Sequence, residues 1–153
     1  MANLFQLQER FQKLDRPKNL EKILFQTIRK NEKTLLSLNK QQLGEGRDVH
    51  GNITGTYSRA TEIEYRFGEG PRPRKPKIEG QPYNYEDQGD FLDGFFLDIS
   101  NGQAEWNSKD SKTPLLVQKY GDLFGLDDEN LKLSIKNIIV PALLTHIRST
   151  LKI

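Results

Sequence analysis

Four small sets of side chains in this 153-residue chain have the types and spacing that could do chemistry. The first is acidic: Glu86, Asp87, Asp90, Asp93 and Asp98. Carboxylates this close can hold a divalent cation or divide the work of a general acid and a general base. No Lys or His stands among them, and Gly89 marks a turn between Asp87 and Asp90, so they read as solvated turn and strand-edge carboxylates. The second set is His50, in a glycine-rich turn, and His146, alone on a helical stretch; neither has the i, i+4 partner of a metal pair. The third is Gly44, Gly46, Gly51 and Gly55, which match neither a G-x-G-x-x-G nor a P-loop spacing and follow no apolar strand. The fourth is basic. Arg72, Arg74, Lys75 and Lys77 alternate with Pro71, Pro73 and Pro76, which hold the segment extended and splay its charges. Such a loop can stay solvated, meet an acidic protein surface, or touch nucleic-acid phosphate, with Tyr83 and Tyr85 as its nearest aromatic platforms. The reading assigns no catalytic residue, no metal ligand and no cofactor.

Composition sets the scale of the fold behind these residues. Leu, Ile, Val and Phe number 42, enough for a core by the rough one-fifth threshold of disordered chains. Only 35% of the chain is hydrophobic, so the core is lean and the surface polar. Chains of this kind finish their burial against a partner. The net charge of +2 is too small for general nucleic-acid binding, but it is unevenly spread. Residues 1–80 carry 16 cations and 10 carboxylates; residues 81–153 carry 7 and 11. Opposite charge on the two halves suits stacking or self-association. There is no cysteine to form a disulfide or thiolate site. The longest apolar run, 138–144, is broken by Pro141, which fits neither a signal peptide nor a membrane span and points to a soluble cytoplasmic protein.

The elements follow an α+β pattern in one domain over 1–153: a long N-terminal helix, a small antiparallel β-sheet with a long loop, and a C-terminal helix. Residues 1–16 read as a helical arm punctuated by Asp15-Arg16-Pro17. Leu20, Leu24, Ile28, Leu35 and Leu38, with Asn31 at the missing beat, describe one helix over 17–43. Residues 44–120 hold loop and sheet. Within them 56–67 is ambiguous, 68–85 is an extended proline-rich loop, and strand signals begin at Asp90. Asn101-Gly102 is a hairpin turn, returning through 103–108 with Ala104 and Trp106 on one face. Asp127 is a candidate N-cap for the helix over 127–152. Leu131, Ile135, Ile138, Ala142, Leu143, Ile147 and Leu151 trace its buried face, and Pro141 should disturb it.

Three stretches, in order, resemble one family. Residues 41–62 contain Asp48-x-x-Gly51, a short extended piece and Ser58-x-x-Thr61, similar to the segment after the first long helix of phage virion-morphogenesis proteins of the neck or tail-completion class. Residues 87–97, Asp-Gln-Gly-Asp-Phe-Leu-Asp-Gly-Phe-Phe-Leu, look like that family's Asp-Thr-Gly element, with Gln88 for its Thr and Gly94 for its Ser. Residues 119–140, with Tyr120-Gly121 and Phe124-Gly125-Leu126-Asp127, resemble its approach to a final helix. The resemblance implies a non-enzymatic virion protein that assembles as a homo-oligomeric ring at the head–tail junction, meeting portal (connector) and tail proteins and no membrane. The host cytoplasm would be its site of assembly. Its contacts would be Arg72, Arg74, Lys75, Lys77, Phe95, Phe96 and Trp106, and direct contact with DNA is left open. A nucleic-acid-binding accessory protein using the basic N-terminal half is the alternative.

Overall fold

The computed structural model describes residues 4–14 and 17–152. Three helices come first, α1 (Leu4–Leu14), α2 (Pro17–Lys30) and α3 (Glu32–Gly44), followed by α4 (Arg59–Phe67). A single turn, α5 (Asp90–Asp93), leads into the antiparallel pair β1 (Phe95–Ser100) and β2 (Gln103–Ser108). Helix α6 (Thr113–Tyr120) precedes a terminal rod of α7 (Asp128–Ser134), a π-helical segment (Ile135–Ile139) and α8 (Val140–Leu151). The architecture is α+β. No helix among the described residues is long and apolar enough to cross a membrane.

The single helix expected over 17–43 is two. Asn31 leaves the helical well, with φ −107° and ψ 17°, and its side chain donates to Thr27 O at 2.8 Å. Asparagine side chains compete with helical backbone bonding in this way. Beyond the break the buried face shifts: α3 buries Leu35, Asn39, Gln42 and Leu43. Helix α1, over the expected helical arm, lies against α2 and α8, and Arg10 donates to Leu151 O at 2.9 Å. The punctuation read at Asp15-Arg16 lies outside the described residues.

Asn39 and Gln42 are fully buried and join α3 to the segment that starts α7. Asn39 Nδ2 donates to Leu123 O at 3.1 Å, and its Oδ1 accepts from Gly125 N at 3.3 Å. Gln42 donates to Asp48 O at 2.9 Å and accepts from Asp127 N at 2.8 Å. Asp127 caps α7 by accepting from Asn130 N at 2.9 Å, and its other oxygen meets Arg47. Buried amides satisfied this completely fix one packing arrangement, because leaving any of them unpaired is costly.

Beside this joint lies the apolar core of Leu43, Phe91, Leu92, Phe95 and Leu123. Phe95 is 7% exposed and packs at 5.1 Å on Phe91 and 5.3 Å on Phe124 between ring centres. That corrects its assignment as a surface contact: strand alternation sends Phe95, Leu97 and Ile99 to one face and Phe96 to the other. The strand signals read from residue 90 begin five residues late, because Gly89, at φ 97°, starts the α5 turn. Asn101 and Gly102 both take positive φ, 51° and 72°, as the hairpin turn requires. The ambiguous stretch 56–67 ends as helix, with Ser58 accepting from Thr61 N at 3.3 Å as its cap. The disturbance expected from Pro141 takes the form of the π segment just before it, where Val140 N–H bonds to Ile135 O five residues back.

Candidate functional site

The basic loop and the acidic cluster, far from obvious partners in sequence, hold each other. Arg74 meets Asp93 at 2.8 Å, Lys77 meets Asp87 at 3.4 Å and Lys75 meets Glu86 at 3.8 Å. The Arg74 backbone N–H donates to Asp87 O at 2.7 Å, and Gln88 Nε2 reaches Pro71 O and Arg72 O, each at 3.3 Å. The guanidinium of Arg74 lies over Gly89, where any larger side chain would collide with it. Exposed pairs of this kind are worth at most about 1 kcal/mol each, so their effect is to set the path of the loop. Arg72 forms no ion pair among the described residues and remains exposed. Of the other predicted contacts, Phe96 is half-buried under Lys109 Nζ, 5.8 Å from its ring centre, and Trp106 is half-buried with its Nε1 lacking an acceptor.

Along the same clasp runs a cleft of about 320 Å³ walled by Tyr57, Tyr83, Tyr85 and Tyr120, four of the five tyrosines in the chain. Their rings meet edge to face at 5.0 Å (Tyr57 with Tyr83), 5.3 Å (Tyr83 with Tyr120) and 5.5 Å (Tyr85 with Tyr120). Tyr57 OH donates to Asn84 Oδ1 at 3.0 Å and accepts from Asn84 N at 3.1 Å; Tyr85 OH donates to Thr54 Oγ1 at 2.6 Å. Burial raises both phenols, that of Tyr85 to about 12. At neutral pH they are therefore donors and stacking surfaces, and poor bases. Tyr85 takes φ 54°, a left-handed conformation that bulky residues rarely hold unless their surroundings enforce it. Lys119 Nζ lies 5.1 Å from the Tyr120 ring centre, and its pKa is raised by a hydrogen bond to that tyrosine. The cleft thus offers rings to stack on, with lysines and carboxylates beside them. Among the described residues no three His, Asp or Glu side chains converge as a metal ion would require.

Sequence reading missed both the cleft and the apolar surface. The four tyrosines are scattered from 57 to 120 and meet only through the fold. Phe67 is 78% exposed, with Ile63 one helical turn before it on α4. On the terminal rod Leu131, Leu133, Ile135, Val140 and Leu144 are all exposed. Leu131 and Ile135 were expected on the buried face; the π segment changes the register of the rod, so one stripe does not run through it. In comparisons with known proteins, no family model, no curated protein and no solved structure matches this chain.

Proposed function

We propose that this protein is a structural subunit of a tailed-bacteriophage particle, of the neck or tail-completion class, acting by ring assembly at the head–tail junction between portal (connector) and tail proteins. The observation that carries this reading is unfinished burial. The chain exposes 10643 Å², whereas a compact monomer of 17.7 kDa exposes about 8,000 Å². Eleven large hydrophobic residues are exposed among the described residues, against eight buried in the core. A surplus of roughly 2,500 Å² is the size that stable subunit interfaces cover. The order of the three resembling stretches supplies the particular class. The basic loop supports assembly over nucleic-acid binding, since three of its four cations already face carboxylates of the same chain.

The test has two arms. Sedimentation velocity of the purified protein should give a mass several times 17.7 kDa, alone or on mixing with the connector. Mass spectrometry of purified particles should find the chain at a fixed copy number. A lone monomer absent from particles would overturn the reading. Binding to random duplex DNA that falls steeply with salt would favour the alternative.

A further inference from the structure

The two edges of the hairpin are unequally partnered, and that of β2 is the open one. A two-residue turn makes Ser100 and Gln103 a hydrogen-bonded pair, so Asp98 with Glu105 and Phe96 with Asn107 are the next such pairs. The N–H and C=O groups of Leu97 and Ile99 then point away from β2, and those of Ala104 and Trp106 point away from β1. On the β1 side two of these groups are taken and helix α3 lies alongside: Leu97 N donates to Glu32 Oε1 at 3.3 Å and Ile99 O accepts from Arg29 at 3.3 Å. At the far end of β2, Ser108 N is satisfied by Asn107 Oδ1 at 2.8 Å. The outward groups of Ala104 and Trp106 reach no partner among the described residues. A two-stranded sheet is marginal alone, and an unprotected edge is a template for another strand.

Charge says what kind of strand. Asp98 and Glu105 stand directly opposite each other on the exposed face, and neither carboxylate has a hydrogen bond or ion pair among the described residues. Like charges across a strand pair are destabilising. A second β2 pairing antiparallel about Glu105 would add a third and fourth carboxylate to this face, so a symmetric pairing of two copies is disfavoured. A cation opposite Glu105 would relieve the repulsion. In an antiparallel ladder bonded through Ala104 and Trp106, the residue facing Glu105 occupies a non-hydrogen-bonded position, where side chains approach most closely.

We propose that the open edge of β2 accepts an extended segment of another protein, bonded to the backbone of Ala104 and Trp106, with a lysine or arginine opposite Glu105 and apolar residues on either side of it. An open edge would take such a strand whether or not the protein sits at a head–tail junction, so failure here and failure of that reading are separable.

The probe is the peptide acetyl-Thr-Val-Lys-Val-Thr-amide at millimolar concentration, compared with the same peptide carrying Glu for Lys and with its backbone N-methylated form. Amide exchange followed by NMR should slow at least about tenfold at Ala104 and Trp106 with the lysine peptide alone. Ala104→Pro removes an outward N–H and leaves the ladder to β1 intact, so it should abolish the effect while Gln103 and Glu105 amides stay protected. Glu105→Lys should invert the preference toward the glutamate peptide. Equal response to all three peptides, no response to any, or a self-association of the free protein that Ala104→Pro removes would each overturn the proposal.

Discussion

Where α3 meets the turn before α7, each buried amide of Asn39 and Gln42 reaches a partner; along the edge of β2, the outward groups of Ala104 and Trp106 reach none among the described residues. Both regions present polar groups beside apolar ones, and they treat them in opposite ways. The joint is finished within the chain, so its contribution is to stability and to a single arrangement of α3 and α7. The hairpin edge and the apolar side of the terminal rod are not finished in this way, and on the proposed reading a partner covers them. Substitutions should therefore separate cleanly into those that change folding and those that change association.

The largest effect is expected at the joint. Gln42→Ala leaves Asp127 N buried without its partner and opens a cavity, and should lower unfolding free energy by about 3 kcal/mol in a denaturant titration. Asp127→Ala loses the α7 cap and one of the two carboxylates that meet Arg47, and should cost about 2 kcal/mol by the same measurement. If either variant instead folded normally and failed to assemble, the contrast between the two regions would break.

Alkaline pH gives a smaller effect, centred on the cleft. The Tyr85 phenol is held up at about 12 in the folded chain from an ordinary value of 10, so the unfolded chain loses this proton first. Stability from this group is intact below pH 10 and is lost as pH rises through 12, by up to about 2 kcal/mol. Tyr85→Phe should flatten that slope in thermal unfolding measured between these values. The smallest effect on folding belongs to the rod. Val140→Gln with Leu144→Gln changes exposed side chains and should move stability by no more than about 0.5 kcal/mol while reducing the assembled fraction in sedimentation.

What could be read from the sequence was the chemistry of neighbours. Asn101-Gly102 announced the hairpin because positive φ is a local demand, and Asp127 announced α7 because a cap acts within three residues. The turn at Asp48, whose carboxylate accepts from His50 N and Asn52 N at 2.9 Å, is local in the same way. Asn31 was passed over as a polar beat in a long stripe, although its side chain ends α2. Asn39 and Gln42 were invisible since polar helix residues read as solvent-facing until their distant partners at 123–127 are in place. The clasp between residues 72–77 and 86–93 was read as two unrelated charge runs, and Phe95 was grouped with Phe96 although alternation separates them. Long-range pairing, which no local pattern encodes, accounts for Asn39, Gln42 and the clasp, whereas Asn31 and Phe95 obey local rules that the apolar stripe and the apolar run conceal.

The most direct measurement of unfinished burial is amide hydrogen exchange by mass spectrometry, on the free protein and on the same protein within its assembled particle. Protection should rise over residues 103–108 and 131–144 on assembly and stay unchanged over 35–48 and 122–130. Identical exchange in the two states, or protection gained equally everywhere, would contradict a chain that leaves part of its surface for partners to cover.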